Sequence, residues 1–512
     1  MFLMGIDAGT TSIKVGIYGT TGETITISSE RISIETPKVG WAEEDMLDVW
    51  NATKSAIKCA LKKSKIRGEE ILAIGLSGQG GGAWLIDGKG SPVRKAIIWL
   101  DLRASNLVEK LKESQKDKEL YEITGWRIFP SSGPILLKWL QENEPTTLEK
   151  AKYFLRCKDW IKFCLTGSSS TDPSYMISEI NIKTNKYSEE VFEILGIKKE
   201  YIGLFPQLIP AWKIAGTVNS IAAKETGLKE GTPVSSGGYD VCSCALGAGV
   251  INNKQLFAII GTAGIYAAVV DHPIFDPNQQ VSVNLHVIPD RYVLNCQSMT
   301  ATPNLDWFIN EFCKDLITKA GDKNVYKICD SIVSKVPPGA GGILYHPYLQ
   351  GEIGPFVKAS ARATFTGLSL WHKRDHLLRA IYEGVGFSML DNFQKINELL
   401  FLNIKPKREI TVVGGGAQSD IWLQILADIN NTMIIVPEGK ELGCKGAAIN
   451  AGIAVNLYKN HEEAVKNFVK IQKIYKPNEK NSILYDKMFK IYQEIYKGLW
   501  NAWDKLASLQ MV

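Results

Sequence analysis

The sequence predicts an α/β protein with two domains. Several predicted strands run into glycine-rich polar loops, and helices follow some of these loops. The 512 residues are too many for a single hydrophobic core, so a division into two domains is expected. Each half also opens with a strand, a Gly-Thr turn and a second strand, at residues 5–13 and 258–265, which suggests an internal duplication.

The first element is a hairpin whose turn carries candidate phosphate ligands. Ile13, Val15 and Ile17 alternate with small or polar residues, a pattern that predicts a half-buried strand. Before them, residues 9–12 combine a glycine with three hydroxyl side chains, and such a turn suits a phosphate. Asp7 beside the turn could hold Mg²⁺ through water. The alternative is an ordinary hairpin turn, because these residue types also form turns.

Two further strands end in polar loops that suit a sugar. The strand at residues 71–76 runs into a loop with Gln79, whose amide can donate and accept hydrogen bonds. The strand predicted at residues 96–100 ends at Asp101 and Arg103, where the carboxylate could accept from two hydroxyls. Such loops are where α/β proteins bind ligands. The alternative is an exposed Gln79 and a surface pair of Asp101 with Arg103.

Asp240 lies at a predicted junction between a strand and a helix. The strand at residues 234–236 runs into two glycines, Tyr239 and Asp240, and a run of small residues follows at 241–249. An aspartate at such a junction could reach into a cleft as a base. It could equally be the N-cap of the helix, since aspartate favours that position, and both roles are compatible.

The second half contains a candidate nucleotide site. Residues 410–413 predict a buried strand that ends at three glycines and Ala417, and a helix follows. A nucleotide could lie against this turn and the N-terminus of the helix. Near the start of this half, Gly261 and Thr262 form the turn that resembles the first hairpin.

Composition and charge favour an ordinary soluble globular protein over several other classes of protein. A net charge of +5 with interspersed signs is too small to indicate nucleic-acid binding. The nine cysteines lack zinc spacing and predict reduced thiols in a cytoplasmic protein. The N-terminus has no signal-peptide pattern, and the longest apolar run is too short to cross a membrane.

Together these motifs resemble the FGGY family of carbohydrate kinases, over roughly residues 4–457 and in the right order. The most specific stretch is residues 363–368 with the following segment at 376–383. Pro134 with residues 138–140 is similar to a second signature of the family. The resemblance implies the two-domain actin-like (ribonuclease H-like) ATPase fold, in which each domain is a mixed sheet flanked by helices. It also implies a sugar-binding domain at residues 1–249 and a nucleotide-binding domain at 250–512.

The resemblance further implies ATP-dependent phosphorylation of a small sugar or polyol, such as xylulose or an erythritol-like polyol, with ATP and Mg²⁺ and in the cytoplasm. It assigns Asp240 as the catalytic base and Asp7 as the carboxylate near Mg²⁺. The implied sugar-binding positions are Gln79, Gly80, Trp99, Asp101 and Asp240. The implied ATP-binding positions are Thr10, Thr11, Ser12, Gly261, Thr262, Gly415, Gly416 and Ala417. No nucleic-acid or membrane partner is expected, and the family resemblance allows a homodimer.

The sequence also departs from the pattern of some family branches. Gly80 and Gly81 follow Gln79 where xylulose kinases usually carry Met-His, and the Arg-Glu of glycerol kinases is absent from this region. The glycine loop and residues 304–307 are more similar to the erythritol and L-xylulose kinase branches. Thr302 stands where many members carry a glycine that contacts ATP. The alternatives are a glycerol or gluconate kinase, a non-catalytic sugar sensor, and an actin-like or chaperone ATPase acting on proteins.

Overall fold

A computed structural model describes residues 1–321, 324–400 and 409–509. The first of its two large sheets is formed by the N-terminal half. Its strands are β1 (Phe2–Ala8), β2 (Ser12–Gly19), β3 (Thr24–Arg31), β4 (Ile71–Gly78), β5 (Ile214–Thr217), β6 (Pro233–Ser235) and β7 (Gly238–Tyr239). The strand order is β5-β6-β4-β1-β2-β3, and β7 pairs with β4 beyond β6. Strand β4 is parallel to β1, β6 and β7, and the other pairs are antiparallel.

The second sheet is formed by the C-terminal half. Its strands are β8 (Leu256–Ile260), β9 (Gly264–Val270), β10 (Ser282–Leu285), β11 (Tyr292–Ser298), β12 (Glu409–Val413), β13 (Met433–Pro437) and β14 (Ile471–Tyr475). The strand order is β10-β11-β9-β8-β12-β13-β14. Strand β12 is parallel to β8 and β13, and the other pairs are antiparallel.

The two sheets share one topology. In each sheet the first strand, β1 or β8, forms an antiparallel hairpin with the next strand, β2 or β9. On its other side the first strand pairs in parallel with β4 or β12, which follows a long crossover connection. In each, an antiparallel strand closes the far edge next to the parallel strands. This shared order supports the internal duplication that the two short Gly-Thr hairpins suggest.

Helices flank both sheets. They are α1 (Met46–Ser64), α2 (Ser105–Glu113), α3 (Lys116–Thr124), α4 (Gly133–Asn143), α5 (Pro145–Lys150), α6 (Cys157–Thr166), α7 (Glu189–Ile194), α8 (Lys199–Ile202), α9 (Ser220–Thr226), α10 (Asp240–Gly247), α11 (Thr302–Phe312), α12 (Lys314–Ala320), α13 (Val325–Val333), α14 (Arg374–Leu399), α15 (Asp420–Asn430), α16 (Leu442–Ala454), α17 (His461–Phe468) and α18 (Glu479–Leu509). Short 3₁₀ turns lie at Pro173–Tyr175, Ala340–Gly342 and Gly415–Gln418. Within the described residues, no helix is both long enough and apolar enough to span a bilayer.

Short strand pairs complete the fold. They are Glu43–Glu44 with Ala96–Ile97, Trp84–Ile86 with Tyr153–Leu155, Ile180–Asn181 with Lys186–Tyr187, and Leu344–His346 with Thr364–Thr366. The strand expected at residues 96–100 is therefore only two residues long. Its pairing partner, Glu43–Glu44, is distant in sequence, so a local pattern does not reveal the pairing.

Two helices rich in small residues, α10 and α16, join the halves. A Cβ at Gly446 of α16 would lie 1.8 Å from the carbonyl oxygen of Ser243 in α10. A Cβ at Gly5 of β1 would lie 1.8 Å from the carbonyl oxygen of Cys444 in α16. Glycine therefore lets α16, from the C-terminal half, pack closely on α10 and on the first sheet. One hydrophobic cluster accordingly includes buried residues of both sheets and of both helices.

Candidate active site

The candidate catalytic and sugar-binding residues come together where strands β1, β4 and β7 end. Strands β1 and β7 both pair in parallel with β4, so their carboxyl ends meet at one edge of the sheet. Gln79, just past β4, donates its backbone N–H to the carbonyl oxygen of Ala8 at 2.9 Å. Asp240 follows β7 directly, and the charge of Asp7 on β1 acts on its carboxyl group.

Asp240 is the first residue of helix α10, and the N-cap is Tyr239. The Asp240 carboxylate accepts a hydrogen bond of 2.7 Å from the backbone N–H of Val241. Burial, and after it the negative charge of Asp7, raise the pKa of Asp240 to about 8, although the Val241 N–H opposes this shift. A carboxyl group with this pKa is suited to exchange a proton near neutral pH.

Asp7 is a half-buried residue whose carboxylate Oδ1 atom is buried and has no hydrogen-bond partner within the described residues. Burial raises its pKa, and the nearby Ser77 hydroxyl and then the positive charge of Lys14 oppose the shift. A Cβ at Gly443, in the first turn of α16, would lie 2.7 Å from Asp7 Oδ2, so the carboxylate faces a helix N-terminus. Lys14 itself pairs with Glu441 at 2.7 Å.

The environment of Asp7 fits a magnesium ion. The unpartnered, buried oxygen would gain from a cation. In the described part of the chain, no group of three or more His, Cys, Asp or Glu side chains could hold a metal. Mg²⁺ commonly binds through one or two carboxylates, with water and substrate phosphates as its other ligands, so a single aspartate is compatible with it.

Gln79 is oriented by a second buried acid, Glu44, which the sequence motifs did not reveal. Gln79 Nε2 lies 3.2 Å from each carboxylate oxygen of Glu44. Burial raises the pKa of Glu44 to about 8, and the hydrogen bond from Gln79 opposes the shift. Gln79 Oε1 is buried and unpartnered in the described residues, so this end of the amide is available to accept a hydrogen bond.

The glycines after Gln79 lie between two aromatic side chains. A Cβ at Gly80 would lie 2.6 Å from Cε2 of Tyr239, and a Cβ at Gly81 would lie 3.3 Å from Cβ of Trp99. Gly81 and Gly82 have φ values of +70° and +81°, in the left-handed region. Tyr239 therefore occupies the space that a side chain at position 80 would need. Trp99 is 44% exposed.

The stretch that carries Trp99, just after the short strand Ala96–Ile97, is linked to the turn at residues 9–12 through Thr10. The indole Nε1 of Trp99 donates a hydrogen bond of 2.8 Å to Oγ1 of Thr10. The turn itself is closed by the N–H of Gly9, which donates to the carbonyl oxygen of Ser12 at 3.1 Å. Thr11 at its tip is exposed. The three predicted hydroxyl positions thus belong to one short turn beside Trp99.

Asp101 and Arg103 form a buried pair and not a surface pair. Both side chains are fully buried, and Asp101 Oδ1 accepts from Nε of Arg103 at 2.8 Å. Asp101 Oδ2 accepts from the backbone N–H of Ala42 at 2.7 Å. The guanidinium of Arg103 also binds Glu43 at 2.7 Å and stacks 3.8 Å from the ring centre of Trp41. Both carboxylate oxygens of Asp101 are therefore bound by donors of the protein itself, and its direct contact with a sugar stays a prediction.

The predicted ATP-binding turns of the second half are neighbours at one edge of the second sheet. Gly261 follows β8 and Gly414 follows β12, which are parallel strands. A Cβ at Gly416 would lie 2.5 Å from the side chain of Ile260, whereas one at Gly415 would meet open space. Thr302 Oγ1 donates to the carbonyl oxygen of Gly261 at 3.0 Å. The side chain of Thr302 is thus tied to the turn that contains Thr262.

The sequence motifs also did not reveal a buried charge cluster that contacts the loop before Asp240. Lys158 and Lys162 on α6 both pair with Asp159, at 2.6 and 3.2 Å, and all three side chains are fully buried. Burial lowers the pKa of Lys162 to about 8, and Asp159 opposes the shift. The lysine spacing of four residues was visible in the sequence, but it does not distinguish a buried cluster from a solvated helix face.

Comparison with known proteins supports one family. A model of the N-terminal domain of the FGGY family of carbohydrate kinases matches residues 2–247, and a model of the C-terminal domain matches residues 256–455. The chain is 33% identical over 455 residues to the probable L-xylulose kinase of Haemophilus influenzae. This alignment covers 88% of the chain and 90% of that protein. It is 30% identical over 501 residues to the L-xylulose/3-keto-L-gulonate kinase of Escherichia coli, covering 97% of each.

A solved structure confirms the predicted fold class. The crystal structure of ligand-bound xylulose kinase from Lactobacillus acidophilus superposes with a TM-score of 0.89 at 26% identity, covering 99% of each chain. The two mixed sheets flanked by helices are therefore those of a two-domain sugar kinase. Both family models match, in order, and together they span most of the sequence, so the chain belongs to the FGGY family of carbohydrate kinases.

Proposed function

We propose that this carbohydrate kinase phosphorylates a five-carbon ketose, with L-xylulose as the first candidate and Asp240 as the general base. The observation that carries the proposal is the position of Asp240. Asp240 begins α10 directly after β7, beside the loop that carries Gln79, and the charge of Asp7 acts on its carboxyl group. The division into a sugar-binding domain at residues 1–249 and a nucleotide-binding domain at 250–512 is part of the proposal.

In the proposed reaction, a sugar hydroxyl attacks the γ-phosphorus of ATP. The Asp240 carboxylate takes the hydroxyl proton, a bond forms between the sugar oxygen and phosphorus, and the bond from phosphorus to the β,γ-bridging oxygen breaks. The products are the sugar phosphate and ADP. Such a transfer depends mainly on positioning and charge stabilisation, and a well-placed base adds roughly 10²–10⁴-fold.

The turn at residues 9–12 and the turn at residues 261–262 would hold the phosphates of ATP between them. The hydroxyls and N–H groups at Thr10, Thr11 and Ser12 would face the phosphates from the first sheet, and Gly261 and Thr262 would do so from the second. Gly415, Gly416 and Ala417 would contact the adenosine, and the open space beside Gly415 supports this assignment. Asp7 would hold Mg²⁺, which would neutralise phosphate charge when bound.

The sugar would lie between the loop of Gln79 and Gly80 and the side chain of Trp99. Gln79 Oε1 is free to accept from a sugar hydroxyl, because Glu44 binds the other end of the amide. The names of the relatives favour L-xylulose, and 3-keto-L-gulonate is the next candidate on the same ground. Erythritol, glycerol and gluconate are the alternative acceptors.

The test is an assay of ADP release with Mg-ATP over L- and D-xylulose, L- and D-ribulose, 3-keto-L-gulonate, erythritol, glycerol and gluconate. We expect one strong responder among the ketoses. With that acceptor, Asp240→Asn should lose at least about 10²-fold in kcat while it still binds ATP. Asp486→Asn, on the exposed face of α18, is the matched control and should keep full activity.

Three outcomes would count against parts of the proposal. A response to 3-keto-L-gulonate, erythritol, glycerol or gluconate alone would overturn the assignment of a five-carbon ketose. Near-normal turnover by Asp240→Asn would overturn the base assignment. Binding of a ketose without ADP release, in a protein that binds ATP, would indicate a sugar sensor on the kinase fold.

A further inference from the structure

Two buried lysines converge on one backbone carbonyl in the loop before Asp240. Lys158 Nζ lies 3.3 Å from the carbonyl oxygen of Ser236, and Lys162 Nζ lies 3.4 Å from the same atom. Asp159 Oδ1 binds both ammonium groups, and Asp159 Oδ2 accepts from Thr171 at 2.6 Å. Burying three charges is costly, and apolar residues of similar volume are often as stable. A gain in stability therefore does not account for these three buried charges.

The same loop is anchored at its other end. The backbone N–H of Tyr239 donates to Ser174 Oγ at 3.3 Å, and Ser174 Oγ in turn donates to the carboxylate of Asp172. Asp172 is also buried, and the charge of Lys158 acts on it. One buried polar network thus holds both the first and the last residue of the segment 236–239.

Between these anchors the loop has no side chain to hold it. Gly237 has a φ of +71°, and a Cβ there would lie 2.3 Å from the carbonyl oxygen of Leu76. A Cβ at Gly238 would lie 2.1 Å from the side chain of Val287. Two glycines are thus required by close packing, and the backbone anchors at Ser236 and Tyr239 must fix the direction in which the chain enters α10.

We infer that Lys158 and Lys162 are positioning residues for the phosphoryl transfer: they hold the Ser236 carbonyl and thereby place the Asp240 carboxylate. The inference rests on the proposed role of Asp240 as the base. The lysines act through the backbone, since neither of them contacts Asp240 in the described structure. Substitution of either lysine should lower kcat and should change the KM for ATP little.

The test is a double-mutant cycle with Lys162→Met and Asp240→Asn. If Lys162 acts through the base, Lys162→Met should lower kcat by about 10-fold to 10²-fold in the parent protein, and by less than about 3-fold in the Asp240→Asn protein. Lys162→Gln keeps a donor for the Ser236 carbonyl and should recover much of the loss. The matched control is Arg379→Met, which breaks a buried ion pair with Glu383 at 2.7 Å, far along the chain in α14. It should lower stability without the coupling to Asp240.

The outcomes separate the inference from the proposed function. Equal losses from Lys162→Met in both backgrounds, or no loss in either, would overturn the positioning role. Near-normal activity of Asp240→Asn alone would remove the base assignment itself, whatever the lysines do. If Lys162→Met does not fold, the same cycle with Lys158→Met decides, because Lys158 Nζ holds the same carbonyl oxygen at 3.3 Å and its loss should show the same coupling to Asp240.

Discussion

The indole Nε1 of Trp99 lies 2.8 Å from Oγ1 of Thr10 and donates a hydrogen bond to it. Trp99 belongs to the wall of the candidate sugar pocket, next to Gly81, and Thr10 belongs to the turn proposed to hold phosphate. With one lone pair used by the indole, the hydroxyl proton of Thr10 is free to point toward a phosphate oxygen. The two candidate binding sites are therefore connected by one hydrogen bond.

Trp99→Phe should separate the two roles of this side chain. Phenylalanine keeps an aromatic face for the sugar and removes the donor to Thr10, so we expect the KM for the sugar to change by less than about 3-fold. The kcat/KM for ATP should fall about 5- to 10-fold, the usual effect of one lost hydrogen bond. Steady-state kinetics with each substrate varied in turn would measure both values. A rise in the sugar KM alone would contradict the link to Thr10.

Gly80→Ala should displace the loop that follows Gln79, because the added methyl group would collide with Tyr239. The new Cβ would lie 2.6 Å from Cε2 of the tyrosine ring, so the ring or the loop must shift. We expect kcat/KM for the sugar to fall at least 10-fold, with the KM for ATP unchanged. Gly88→Ala is the matched control, because a Cβ there meets open space.

The double variant Gly80→Ala/Tyr239→Ala tests the stated cause. Removal of the ring relieves the contact, so the double variant should lose less than the sum of the two single variants. Strict additivity of the two losses would mean that Gly80 acts on something other than Tyr239.

Glu44→Gln should change how stability depends on pH. Burial raises the folded-state pKa of Glu44 from 4.5 to about 8, so its contribution to stability is complete below about pH 4.5 and is lost as the pH rises through 8. Glutamine cannot ionise and therefore removes this loss of stability, which at pH 9 is on the order of 5 kcal/mol. Urea unfolding at pH 5 and pH 9 would measure it. Glu142→Gln, a half-exposed residue of α4, is the control, and an equal effect of Glu44→Gln at both pH values would refute the prediction.

The strand ends were predictable because they depend on local patterns. The alternation after Asp7 and the glycines after Gln79 and at 414–416 mark sharp turns that only certain residue types form, and the structure has turns at these places. The order of such turns also carried the family resemblance. The position of Asp240 at the start of a helix followed from the same reasoning.

The partners of these residues were not predictable, because they are distant in sequence. Glu44 meets Gln79 across 35 residues, and Lys158 meets Ser236 across 78. Asp101 was expected to be open to hydroxyl groups, yet Ala42 supplies one of its donors from a strand edge 59 residues away. A sequence pattern identifies polar residues near a turn, but tertiary packing decides whether they face the ligand or support the wall behind it.

The pH dependence of turnover should follow the ionisation of Asp240. Burial and the charge of Asp7 raise its pKa to about 8, and a base accepts a proton only when ionised. We therefore expect kcat/KM for the sugar to rise with pH up to about 8 and to level off above it. Initial rates between pH 6 and 9.5, with direct detection of the sugar phosphate, would measure the midpoint.

Stability supplies an independent measure of the same carboxyl group. Because the folded-state pKa of Asp240 lies above its ordinary value of 3.8, ionisation destabilises the folded protein as the pH rises from about 4 to about 8. Asp240→Asn should therefore become progressively more stable than the parent protein over that range, while it loses activity. If its relative stability fell instead, the folded protein would favour the ionised carboxylate. The base would then be active well below pH 8, and the midpoint of the rate profile would belong to another group.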